Sequence, residues 1–115
     1  MSGEIFVGRL LQVLPELKAV HDRHIADNDS LLPHVFMGDV TRFIIAEVGR
    51  SGMHETLKRL LFFFEKELSS GEPEAKELIL ASFVENLIGE TATVEKLVPL
   101  MGTNLRREVK AIIGY

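Results

Sequence analysis

The 115-residue chain is 46% hydrophobic and 26% charged, the balance of a single globular domain over residues 1–115 and not of a disordered or collagen-like chain. It has no cysteine, which excludes disulfides, thiolate metal sites and a cysteine nucleophile. Its net charge of -4 argues against binding nucleic acid by counterion release, and no stretch supplies the roughly 18 apolar residues of a membrane span.

Apolar residues recur at three- and four-residue steps along almost the whole sequence, which predicts helices. In the first, Phe6, Leu10, Val13 and Leu14 share a face. Glu4 and Arg9 interrupt this segment, so it does not read as a signal peptide, and the cytoplasm is the expected location. Pro15 suits the first turn of a second helix, where a missing N–H is harmless. Its stripe runs Leu17, Val20, His21, His24 and Asn28, and it should end within Asp27–Ser30, whose side chains bond the local backbone. Pro33 opens a third helix with Phe36, Val40, Phe43, Ile44 and Val48 on one face, stopping at Gly49–Gly52.

A fourth helix is expected from about Met53 to Ser69, with Leu57, Leu60, Leu61, Phe64 and Leu68 inward and Phe62 and Phe63 widening the apolar surface. Ser69–Pro73 joins a glycine stop to a proline start, so the fourth and fifth helices should form an antiparallel hairpin. The fifth, LILASFVENLI over Leu78–Ile88, is apolar on nearly every side and reads as the buried centre. Thr91 or Thr93 would cap a sixth helix bearing Val94, Leu97, Val98 and Met101, with Pro99 kinking or shortening it. Thr103 or Asn104 would cap the last, with Leu105, Val109, Ile112 and Ile113 inward and Arg106, Arg107 and Lys110 facing water. With no sustained strand alternation, the expected fold is all-α: six or seven short antiparallel helices in one compact array.

Within the fifth helix Glu85 has only Ala81, Ser82, Ile88 and Gly89 at helical-neighbour spacing, so a buried carboxylate there would need a donor from another helix, Arg42 or His34. Glu85 and Asn86 then form either a structural lock or, with His34 and Asp39, the centre of a small acid/base or metal-dependent enzyme. His21, His24 and Asp27, three residues apart, would suit a metal ion, but this HxxH lacks the glutamate of HExxH and lies on the inward stripe. Helix-interface histidines are the favoured reading, with no resident metal or cofactor. Asp27–Asn28–Asp29 fails as a calcium loop because Leu32 and Gly38 stand where glycine and a bidentate acid are needed. No serine or threonine sits in a glycine-flanked elbow with a local histidine and acid. Gly49–Gly52 reads as a turn rather than a phosphate loop, and Phe62–Phe63–Phe64 as core packing with a ridge left for a partner or a homodimer.

The segment LPELKAVHDRHIADNDSLLPHVFMGDVTRF, followed by SFVENL, resembles a family of short bacterial all-helical proteins, some similar to toxin immunity proteins. The likeness rests on Leu32, Pro33, His34, Gly38, Asp39, Ser82, Phe83, Glu85 and Asn86. It implies a protein-binding module, an immunity-type inhibitor whose partner is a toxin. From charge, the contact surface expected for a basic cleft is Glu65, Glu67, Glu72, Glu74 and Glu77, around the helix hairpin.

Overall fold

The computed structural model describes residues 2–50 and 54–115, and every element within them is helical. Seven α-helices follow in order: α1 Ser2–Val13, α2 Lys18–Asn28, α3 Pro33–Val48, α4 His54–Ser69, α5 Pro73–Ile79, α6 Thr91–Leu97 and α7 Thr103–Ile113. The all-α array is as expected. Met53, the expected start of the fourth helix, and Ser51 and Gly52 of the Gly49–Gly52 turn lie outside the described residues.

Proline and left-handed residues set the boundaries. Pro15 opens a 3-10 turn, Pro15–Leu17, while Pro33 and Pro73 open α3 and α5, positions where no intrahelical N–H is required. Asp29, at φ 64°, closes α2 and returns its N–H to Ile25 O. Gly71, at φ 77°, turns the chain between α4 and α5, a conformation that a side chain with Cβ resists. Pro99 falls in a 3-10 turn, Val98–Leu100, that ends the sixth helical segment early.

The inward stripes meet in one core. Phe6 and Leu10 of α1, Phe36, Val40 and Ile44 of α3, Leu60, Leu61 and Phe64 of α4, and Phe83 are all 0% exposed. An aromatic relay runs through it, with ring centroids 5.4 Å apart for Phe6–Phe63, 6.2 Å for Phe63–Phe64 and 4.8 Å for Phe64–Phe83. Of the three adjacent phenylalanines, Phe63 and Phe64 are therefore core, and Phe62 alone faces out, 64% exposed with the Lys66 ammonium over its ring. Helices α1 and α4 run antiparallel, since Arg9 pairs with Glu67 while Arg59 donates to Val13 O and binds Glu16. The radius of gyration, 13.2 Å, matches the roughly 13 Å of a compact chain this long.

Two expectations change here. The stretch read as one helix over Leu78–Ile88 is instead the end of α5, a π-helical turn over Leu80–Val84 and a 3-10 turn over Glu85–Leu87. Its centre is buried, but Glu85, Asn86 and Ile88 are exposed, so the two polar residues are not core groups at all. Side-chain caps also differ: Glu90 and Gly102, not the threonines or Asn104, precede α6 and α7. At α7 the capping group arrives from another helix, because the Glu65 carboxylate of α4 accepts the N–H groups of Asn104 at 3.0 Å and Leu105 at 2.9 Å.

Candidate functional site

Helix α3 is fastened to the π-helical turn at Ser82. In that turn the Glu85 N–H reaches back five residues to Leu80 O, which changes the order of backbone partners around Ser82. The Ser82 carbonyl accepts the Asn86 amide at 2.8 Å and lies 2.9 Å from the buried Thr41 hydroxyl, which is 2.8 Å from Met37 O. Two turns before Thr41 on the same helix, His34 Nδ1 lies 2.6 Å from Ser82 Oγ. His34 and Thr41 thus grip one residue, through its side chain and its backbone.

The free edge of that imidazole faces a groove. Its Nε2 is 3.7 Å from Glu77 Oε1, and both residues line a cavity of about 220 Å³ together with Gly3, Glu4, Leu31, Pro33, Glu74 and Leu78. The first turns of α1 and α3 and the outer face of α5 build its walls. Packing is tight where they meet, as a Cβ on Gly3 would stand 3.1 Å from Pro33 Cγ. Apolar floor and carboxylate rim are the chemistry of this groove, suited to a cation with a hydrocarbon stem.

A serine, a histidine and an acid have come together here from three separate elements, which sequence spacing did not foretell. They do not form a nucleophilic triad. Ser82 is only 6% exposed, and its hydroxyl orients the imidazole from beneath, where no acyl substrate fits between them.

The other candidate residues fall into different networks. His24, 1% exposed, has both ring nitrogens engaged: Nε2 accepts the Leu32 N–H at 3.0 Å, so the neutral ring carries its proton on Nδ1 and donates to Asp39 at 3.2 Å. Asp39 also pairs with Arg42. This chain of bonds pins the loop before α3, and a metal ion on His24 would have to break it. His21 stacks edge-on to Phe36 at 5.7 Å, with Nδ1 3.5 Å from Asp22. The Glu85 carboxylate meets neither Arg42 nor His34, and no hydrogen-bond or ion-pair partner among the described residues. Glu85, His34 and Asp39 are therefore not one gathered centre. A second cavity, about 300 Å³, is lined by Val20, Arg23, Asp27, Asp39, Arg42 and Phe43, and each arginine there has its own aspartate.

The five glutamates expected to form one surface are sorted by the fold. Glu65 caps α7, and Glu67, its side chain 12% exposed, binds Arg9 Nη2 at 2.6 Å. That hydrogen bond, more than any other influence, raises the Arg9 pKa, and Glu72 adds a further Coulombic pull on the same guanidinium. Glu74 and Glu77 line the groove, and so does Glu4, which the charge pattern had not singled out.

Fold and groove together define a small, all-helical domain built around a π-helical turn, with an acidic-rimmed cleft on one side. The chain belongs to the family described as a domain of unknown function, DUF7674, whose profile matches residues 7–114. No curated protein and no solved structure matches it.

Proposed function

We propose that this chain is a protein-binding module, an immunity-type inhibitor that holds a basic partner, a toxin, at the groove between α1, α3 and α5. The observation that carries the reading is the groove itself, lined by apolar Leu31, Pro33 and Leu78 beside the exposed Glu77 carboxylate, with Glu4 and Glu74 also in its wall. Negative charge at the mouth of a cleft steers a basic surface into contact, and desolvated apolar area then holds it. The net charge of -4 works in the same direction.

The test pairs this chain with the protein encoded directly upstream of it. Wild type should bind that protein and restore growth to cells expressing it. Reversing the groove with Glu74→Lys and Glu77→Lys should slow association about tenfold or more, with an effect that shrinks as salt rises. An affinity indifferent to both charge reversal and salt would reject the electrostatic reading, and failure to bind or protect would reject the immunity reading.

A further inference from the structure

We infer that the groove is a receptor for one lysine side chain presented by the partner, an inference that rests on the protein-binding reading above. Its size points to a single side chain: about 220 Å³ falls below the roughly 300–1,000 Å³ of sites that enclose small molecules. Its lining matches lysine from end to end. The four-carbon stem lies on Leu31, Pro33 and Leu78, and the ammonium meets the Glu77 carboxylate, which is 69% exposed and 3.7 Å from His34 Nε2. A compact ammonium with three rotatable donors suits the Glu77 carboxylate, which among the described residues has only the His34 contact, whereas a guanidinium needs a held, planar partner.

The surroundings indicate a protein as the source of that lysine, rather than a free amine. Ile5, Leu32 and Val35 are 57%, 42% and 46% exposed, and each is the chain neighbour of a residue lining the groove: Glu4, Pro33 and His34. The starts of α1 and α3, which wall the groove, thus also carry exposed apolar side chains, area that a protein partner and not a free amine would cover.

The inference is tested by nuclear magnetic resonance with the whole chain and three probes: acetyl-Gly-Lys-Gly-amide, its arginine counterpart, and the same lysine peptide acetylated at Nζ. The lysine peptide should shift the amides of Gly3, His34, Glu77 and Leu78 selectively. Acetylation should abolish those shifts, the arginine peptide should bind more weakly, and Glu77→Gln should lower affinity roughly fivefold, about 1 kcal/mol. Glu77 is solvent-facing, so the remaining amides of the variant should keep their positions and report an intact fold. Equal shifts from the acetylated and free peptides, or shifts centred elsewhere, overturn the inference. So does dilution-dependent movement of the same amides in the absence of peptide, which would assign the groove to a second copy of the chain. If the upstream protein binds while Glu77→Gln and the lysine peptide have no effect, the lysine receptor falls and the protein-binding reading stands.

Discussion

Gly102→Ala should unfold this protein more easily, although the backbone there does not require glycine. At φ -80° and ψ 178°, residue 102 is extended, a conformation alanine adopts freely. The obstacle is contact. A Cβ at this position would stand 2.5 Å from Glu65 Cδ, 2.6 Å from Cγ and 2.7 Å from Oε1, closer than real Cβ atoms come. The carboxylate must therefore withdraw, abandoning the N–H groups of Asn104 and Leu105. Losing a side-chain cap costs about 1 kcal/mol, and removing a carboxylate from a helix N-terminus costs up to about 1 kcal/mol more. The sum, about 1 to 2 kcal/mol, corresponds to a fall of about 4 to 8 °C in Tm for a chain of 115 residues. Urea unfolding followed by far-ultraviolet circular dichroism gives the value directly. Glu65→Ala removes the same cap, so the double variant should be no less stable than Glu65→Ala alone. Additive losses would show that Glu65 and Gly102 act independently and would refute the capping account.

Three further outcomes follow from the same geometry. Gly38→Ala should stabilise the protein by about 0.5–1 kcal/mol, because a Cβ in this helix interior meets nothing closer than Arg42 Nη1 at 3.7 Å and Asn86 Nδ2 at 3.8 Å; a loss in urea midpoint would contradict that. His24→Leu should cost about 2 kcal/mol and speed hydrogen exchange at the Leu32 amide, which loses its acceptor; an unchanged exchange rate would show that the imidazole does not hold the loop. For Glu16, burial pulls the carboxyl pKa upward, but bonds from the Arg59 guanidinium, its own backbone N–H and the Thr56 hydroxyl outweigh it and leave the value below the usual carboxylate range. A depressed folded value gives stability that is present above the unfolded pKa of about 4.3 and lost as pH falls through the folded one, so the Tm gap between wild type and Glu16→Gln should close between about pH 6 and pH 3. A gap that persists at the acid end would mean the ion pair contributes nothing.

Where a structural feature depends on local spacing, the sequence reveals it. The stripes of α1, α3, α4 and α7 follow from three- and four-residue periodicity, and Pro33, Pro73 and Gly71 mark their boundaries by chemistry that operates within a few residues. The π-helical turn at Leu80–Val84 was not legible, because one extra residue in a helical turn leaves the apolar pattern almost unchanged while rotating everything after it. Glu85 and Asn86, expected inside, follow that turn in the 3-10 segment and are exposed. The Ser82–His34 bond links residues 48 apart, and the Glu65–Leu105 cap residues 40 apart; neither has a local signature. The resemblance does single out Ser82, His34 and Asp39, but not that Ser82 bonds His34 while Asp39 bonds His24, since a motif records which residues recur and not which atoms they face.

The acidic residues show how the fold turns composition into a narrower surface. Five glutamates around a hairpin carry equal weight as charges in a sequence, yet a backbone N–H pair claims Glu65 and the Arg9 guanidinium claims Glu67. A charge already neutralised within the protein contributes little to the field a partner meets, and removing it is felt mainly as lost stability. Glu67→Gln should therefore lower Tm while leaving association with a basic partner unchanged, and Glu77→Gln, at the groove, should do the reverse. Paired measurements of Tm and association rate on the two variants check this division. If both variants slow association equally, the whole acidic hairpin, and not the groove, is what a partner meets.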